Sequence, residues 1–158
     1  MNNNEDLFFK RIQENNDKLF FQAYDKNDLK TMEWCLDSGI CTNFKDNDSI
    51  DDFIDMCSTE NRLDVLKLLH KYDWYGRKGL SFMIAVQASN WEMMKWLYEM
   101  GYSKDYEPEY MTSDDLEIMQ WLKDRGFKFN EGTLYDAELK GFAETVKWLK
   151  KNLSLIHI

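Results

Sequence analysis

The stretch Ser89-Asn-Trp-Glu-Met-Met-Lys-Trp-Leu-Tyr-Glu-Met-Gly101 decides the fold, because it is one of five versions of the same phrase. The others are Asn27-Asp-Leu-Lys-Thr-Met-Glu-Trp-Cys-Leu-Asp-Ser-Gly39, Asn61-Arg-Leu-Asp-Val-Leu-Lys-Leu-Leu-His-Lys-Tyr-Asp73, Asp114-Asp-Leu-Glu-Ile-Met-Gln-Trp-Leu-Lys-Asp-Arg-Gly126 and Gly141-Phe-Ala-Glu-Thr-Val-Lys-Trp-Leu-Lys-Lys-Asn152. With Leu29, Leu63, Trp91, Leu116 and Ala143 as anchors, the copies lie 34, 28, 25 and 27 residues apart. Self-similarity at such a period is the signature of a stacked-repeat solenoid. Solenoids more often present an extended surface than house a catalytic pocket.

Counting from the anchor, position +3 holds Met32, Leu66, Met94, Met119 and Val146. Position +5 holds Trp34, Leu68, Trp96, Trp121 and Trp148, and position +6 holds Cys35, Leu69, Leu97, Leu122 and Leu149. Such a wide apolar arc predicts a helix packed on both sides, with the recurrent tryptophans in the stacked core. Polar residues take the remaining face, where Glu92 with Lys95 and Glu144 with Lys147 are i,i+3 pairs. Gly39, Gly101 and Gly126 fall at +10, a place suited to a left-handed helix stop.

A second helix is predicted before each phrase. Phe20, Ile54, Phe82 and Leu134 recur at −9, and Ala23, Cys57, Ala85 and Ala137 at −6, so that two antiparallel helices can approach closely. Asn27, Asn61, Ser89 and Gly141 lie in the tight turn between them, where Asn and Gly tolerate a left-handed backbone and Asn or Ser can cap the next helix. The fourth copy departs from this: Glu107 and Tyr110 stand in the apolar and small positions beside Pro108, the only proline. Its first helix is predicted to be short or irregular. Residues 1–16 match no repeat and are predicted to form an N-terminal capping helix with Leu7, Phe8 and Ile12 on one face.

Helix pairs ending in Leu-Glu-x-x-Lys-Trp-Leu-x-x-x-Gly resemble ankyrin repeats, and most closely the short, Trp-rich variant found in large DNA viruses and some protists. The residues that carry the likeness are Trp91–Leu97 with Gly101, Leu116–Leu122 with Gly126, and Glu144–Leu149. The resemblance covers about residues 17–152, as five repeats near 17–43, 44–77, 78–105, 106–130 and 131–152. The Thr-Pro-Leu-His opening of the standard repeat is absent and the spacing is mostly shorter than about 33 residues. Plain loops are therefore expected in place of β-hairpin tips. The resemblance implies an all-α ankyrin-like solenoid that recognises a protein partner without catalysis. Some viral members act as adaptors through an added ubiquitin-ligase-binding motif, and no such added domain is visible here. Leu153-Ser-Leu-Ile-His-Ile158 resembles the translation of a transposon-based sequencing adapter, which implies that the natural protein continues with more repeats. It is set aside from functional reasoning. The other reading of these residues is a genuine apolar tail covering the last repeat.

The bulk numbers narrow the partners. A chain of 158 residues with 44% hydrophobic and 15% aromatic residues is about one domain with a real core. A net charge of −9 argues against nucleic acid and anionic membrane surfaces, and leaves a protein partner with a basic face. No apolar run approaches the roughly 20 residues of a membrane span, and the N-terminus lacks the pattern of a secretory signal. Three cysteines without paired spacing fit free thiols in a reducing compartment, so a cytoplasmic monomer is expected (host cytoplasm for a viral protein).

No residues are predicted to be catalytic, cofactor-binding or metal-binding. Cys35, Cys41, Cys57 and His70 lack metal-site spacing. Cys35 and Cys57 occupy slots filled by Leu and Ala in other copies and read as core, while His70 reads as an exposed helix residue. A Cys41–His70 pair is the weakest candidate for nucleophilic chemistry. The run Asp46-Asn-Asp-Ser-Ile-Asp-Asp52 lacks the glycine and terminal glutamate of an EF-hand loop and reads as a solvated loop with Ser49 and Asp52 capping the next helix. The aromatics outside the recurrent slots point instead to recognition, since Tyr, Trp and Arg are enriched in binding hot spots. Trp74, Tyr75, Arg77, Tyr102, Tyr106 and Tyr110 are the candidate partner-binding residues, with Phe127 and Phe129 nearby in sequence. The contact surface is expected at loops 40–49, 72–79, 102–110 and 127–133 with the adjoining first helices. The alternatives are a structural spacer array without a dedicated partner, and a small-molecule enzyme.

Overall fold

The computed structural model describes residues 3–41, 48–74 and 79–154, and side chains within 14–41, 50–74 and 79–153. All regular structure among the described residues is helical. The chain divides into two compact units, one of residues 1–57 with 62–76 and one of residues 58–61 with 77–158.

The first unit is built from α1 (Asn3–Asp25), α2 (Leu29–Asp37), most of α3 (Asp48–Thr59) and α4 (Leu63–Lys71). The segment read as a separate cap and the opening helix of the first repeat are one continuous helix, α1. No proline or glycine stands between residues 3 and 25 to stop it. Phe20, at −9, and Ala23, at −6, are buried, and Phe53 of α3 meets Phe20, Phe21 and Tyr24 of α1 at centroid distances of 5.7, 5.4 and 5.1 Å. The two second helices are joined at their rims by Lys71 to Glu33 at 2.6 Å and Tyr72 to Asp37 at 3.5 Å. Arg62 donates to the Tyr24 carbonyl at 3.4 Å and lies 4.6 Å from the Tyr24 ring centroid.

The second unit holds α5 (Leu80–Gln87), α6 (Trp91–Glu99), a single 3-10 turn (Pro108–Tyr110), α7 (Leu116–Asp124), α8 (Glu131–Lys140) and α9 (Ala143–Ser154). Pro108 starts the 3-10 turn, where its missing N–H is harmless, and the first helix of the fourth repeat goes no further. Phe82, Met93, Met94, Leu97, Met111, Ile118, Met119, Leu122 and Leu149 are fully buried and form the core. Two hydroxyl bonds cross between repeats: Thr145 Oγ1 donates to the Ser113 carbonyl at 2.6 Å, and Ser89 and Ser113 share a bond of 2.8 Å.

The turn chemistry follows the sequence. Asn27, Asn61, Ser89 and Gly141 have φ of 55°, 57°, 52° and 73°, and Gly39, Gly101 and Gly126 have φ of 63°, 81° and 82°. Asp73, the counterpart of those three glycines, is left-handed too, with φ 59°. The caps themselves fall one residue later than the turn positions: Asp28, Asn90 and Asp115 accept from backbone N–H groups of their helices.

The placement of the tryptophans corrects the sequence reading. Trp34 is 56% exposed, and Trp96, Trp121 and Trp148 are half-buried. The buried stripe consists of +2, +3 and +6, with +2 supplied by Val65, Met93, Ile118 and Thr145. At about 100° per residue, +5 lies roughly 100° from the middle of that stripe, on its shoulder. There the rings form a rim. Trp121 meets Tyr98 at 5.1 Å and Trp91 at 6.4 Å, with the Arg125 guanidinium 3.7 Å from its centroid. Trp148 meets Phe129 at 5.6 Å.

Candidate functional site

The shortened first helix of the fourth repeat leaves a groove in the second unit. Its volume is about 610 Å³, and it is lined by Leu80, Met83, Ile84 and Gln87 of α5 and by Asp105, Glu107 and Tyr110. The α5 residues stand at i, i+3, i+4 and i+7, a single helical stripe. The Glu107 N–H reaches Met83 Sδ at 3.3 Å, so Met83 is buried while Leu80 and Ile84 stay part-exposed.

Both ends of the turn are held. Gln87 Nε2 donates to the Tyr110 carbonyl at 2.8 Å from the α5 side. Thr133 Oγ1 donates to the Pro108 carbonyl at 2.8 Å from the α8 side, while accepting from the Asn130 N–H at 2.9 Å in the capping box that starts α8. Gly132 of α8 has no room for a side chain: a Cβ there would stand 2.8 Å from Glu109 Cβ. At the other end Gly79, with φ 116°, lies so close to the Asp105 carbonyl that a Cβ would approach its oxygen to 2.2 Å. The groove wall is thus set by backbone approach at Gly79 and by hydrogen bonds at Gln87 and Thr133.

The rim of the groove is acidic. Its two lining carboxylates are Asp105 and Glu107. Asp105 and Glu107 are exposed, and neither has an ion-pair partner among the described residues.

The candidate partner-binding aromatics separate by burial. Trp74 is 7% exposed, and its ring stands 6.2 Å from Phe20 in the first unit's core. Tyr102 is 4% exposed and lies 6.1 Å from Trp96. Neither ring is open to a partner, because each closes the apolar end of its own repeat. Tyr106 is half-buried over Phe127 at 4.9 Å, and its hydroxyl accepts from the Lys128 N–H at 3.0 Å. Tyr110 is 46% exposed at the groove. Tyr75 and Arg77 lie outside the described residues, as does Asp46-Asn47 of the acidic run. The α5 stripe went unread in the sequence; Leu80, Met83 and Ile84 look like ordinary core until the helix that should cover them is known to be missing.

The cysteines are a packing feature. Cys35, Cys41 and Cys57 are free and buried. Cys41 Sγ lies 3.8 Å from the Asn16 carbonyl, and burial pushes its thiol up to about 12, with Cys35 and Asp17 adding to the rise. A thiol so raised is the reverse of an activated nucleophile. Asp17 has one buried carboxylate oxygen without a hydrogen bond, and burial raises its pKa. No group of three or more His, Cys, Asp or Glu among the described residues is placed to hold a metal ion. No helix among the described residues is long and apolar enough to cross a membrane.

Comparison of the chain with protein-family models, with curated proteins and with solved structures gives no match.

Proposed function

We propose that this chain is a protein-recognition scaffold of the ankyrin type, working without catalysis as a cytoplasmic monomer. Its contact surface is the first-helix side of the second unit, centred on α5 and the 102–110 segment. The observation that carries the reading is the groove along the α5 stripe, where Leu80 and Ile84 are part-exposed beside Asp105 and Glu107. The other described first helices carry an apolar and a small residue at −9 and −6, whereas the fourth repeat has Glu107 and Tyr110 there and leaves a groove along α5. Apolar floors ringed by polar groups are the usual anatomy of recognition sites. The fivefold phrase and its left-handed turns support the ankyrin-type reading, as the recurring geometry of one supersecondary unit.

The test is affinity capture with the full chain and with a Tyr110→Ala/Ile84→Ala variant whose thermal melting is measured in parallel. The reading expects a partner protein held by the wild type and lost by the variant, with melting little changed. Capture that is indifferent to these substitutions and to substitution of Tyr106 refutes this surface. A variant that loses stability and partner together favours the spacer reading.

A further inference from the structure

We propose that the groove between α5 and the 105–110 segment docks a basic amphipathic helix of a partner protein, in the place left by the missing first helix of the fourth repeat. The inference rests on the recognition reading and names the occupant of its site.

Three observations select this occupant. Leu80, Met83, Ile84 and Gln87 repeat at helical spacing, so their apolar stripe matches the i, i+3, i+4 face of another helix lying along it. In the fourth repeat a single 3-10 turn, started by Pro108, stands where the other repeats have a first helix. The charge is one-sided. Asp105 and Glu107 line the groove without ion-pair partners among the described residues. Lys or Arg side chains flanking the apolar face of an incoming helix would meet these carboxylates, whereas phosphate or an acidic segment would be repelled. The dock is pre-formed, because the turn is clamped by Gln87 and Thr133 and by the Gly79 approach, which lowers the ordering cost of binding.

The experiment uses the full chain as bait for a phage-displayed random dodecapeptide library. Enriched peptides are synthesised with a fluorophore and titrated by anisotropy against wild type, Asp105→Asn/Glu107→Gln and Ile84→Asp. The proposal expects Lys or Arg flanking Leu, Ile, Met or Phe at three- or four-residue spacing. It expects the double carboxylate variant to bind roughly fivefold more weakly, from two exposed ion pairs lost, and the difference to shrink in high salt. Ile84→Asp should abolish binding; the carboxylate variant changes only exposed groups, so it tests the proposal even if Ile84→Asp fails to fold. Acidic or uncharged consensus peptides, or peptides that bind the double variant as tightly as wild type, overturn the groove assignment while leaving the recognition reading standing. No enrichment above the bare matrix overturns both.

Discussion

Replacing Gly79 by Ala tests how the groove is held. Gly79 sits at φ 116° and ψ −44°, a conformation that L side chains rarely adopt. Holding a non-glycine residue in such a region costs about 1–3 kcal/mol. The added Cβ would also stand 2.2 Å from the Asp105 oxygen, 2.7 Å from its carbonyl carbon and 3.2 Å from the Tyr106 nitrogen. All three are backbone atoms, so no rotamer change relieves the clash. The 105–106 segment would have to move, against the Tyr106 ring on Phe127 and the bond from Lys128 to the Tyr106 hydroxyl. Overpacking of this kind adds about 1–3 kcal/mol. The expected loss is therefore about 2–6 kcal/mol in urea unfolding followed by far-ultraviolet circular dichroism. Gly126→Ala is the control. Its φ is 82° and nothing lies within 4 Å of the new Cβ, so only backbone strain of about 1–2 kcal/mol is expected. Equal losses in the two variants, or a loss under about 1 kcal/mol at Gly79, would refute the close approach on which the groove depends.

Three further outcomes are expected. Thr145→Val removes a buried donor and leaves the Ser113 carbonyl unpaired, so unfolding should be easier by about 1–3 kcal/mol, measured by denaturant titration. Trp121→Ala should cost about 1–2 kcal/mol through its Tyr98, Trp91 and Arg125 contacts, whereas Trp34→Ala should stay within about 0.5 kcal/mol; equal effects in the same titration would contradict the rim placement. Asp17→Asn should raise the melting temperature at neutral pH. Burial raises the Asp17 pKa, so its contribution is intact while the acid is protonated and is lost as pH rises through the raised value. The advantage of the variant should vanish in acid, below the ordinary carboxylate range, and a gain that persists there would refute the cause.

Much of the local structure was legible because it depends on backbone chemistry. Pro108 cannot sit inside a helix, and the fourth first helix is indeed one 3-10 turn. Asn27, Asn61 and Ser89 take the left-handed turn because a short polar side chain tolerates it, and Gly39, Gly101 and Gly126 because they have no Cβ. The tryptophans were misplaced because recurrence was taken for depth: a position repeated in every copy is shared, but its angle round the helix decides whether it is central or on the shoulder. Position +2 varies from Val65 through Met93 to Thr145 and so escaped notice, yet these residues are buried as part of the stripe. Trp74 and Tyr102 looked like loop aromatics, but each immediately follows a left-handed residue, Asp73 or Gly101, that turns the chain back over its own core. The groove was illegible because it exists through what fails to cover α5.

The most direct measurement is hydrogen–deuterium exchange of the full chain with and without a captured or selected partner bound. Protection is expected to concentrate in residues 80–87 and 103–110, with the α6 and α7 faces that carry Trp96 and Trp121 unchanged. Protection confined to those second-helix faces or to the first unit, with 80–87 unaltered, would contradict the account.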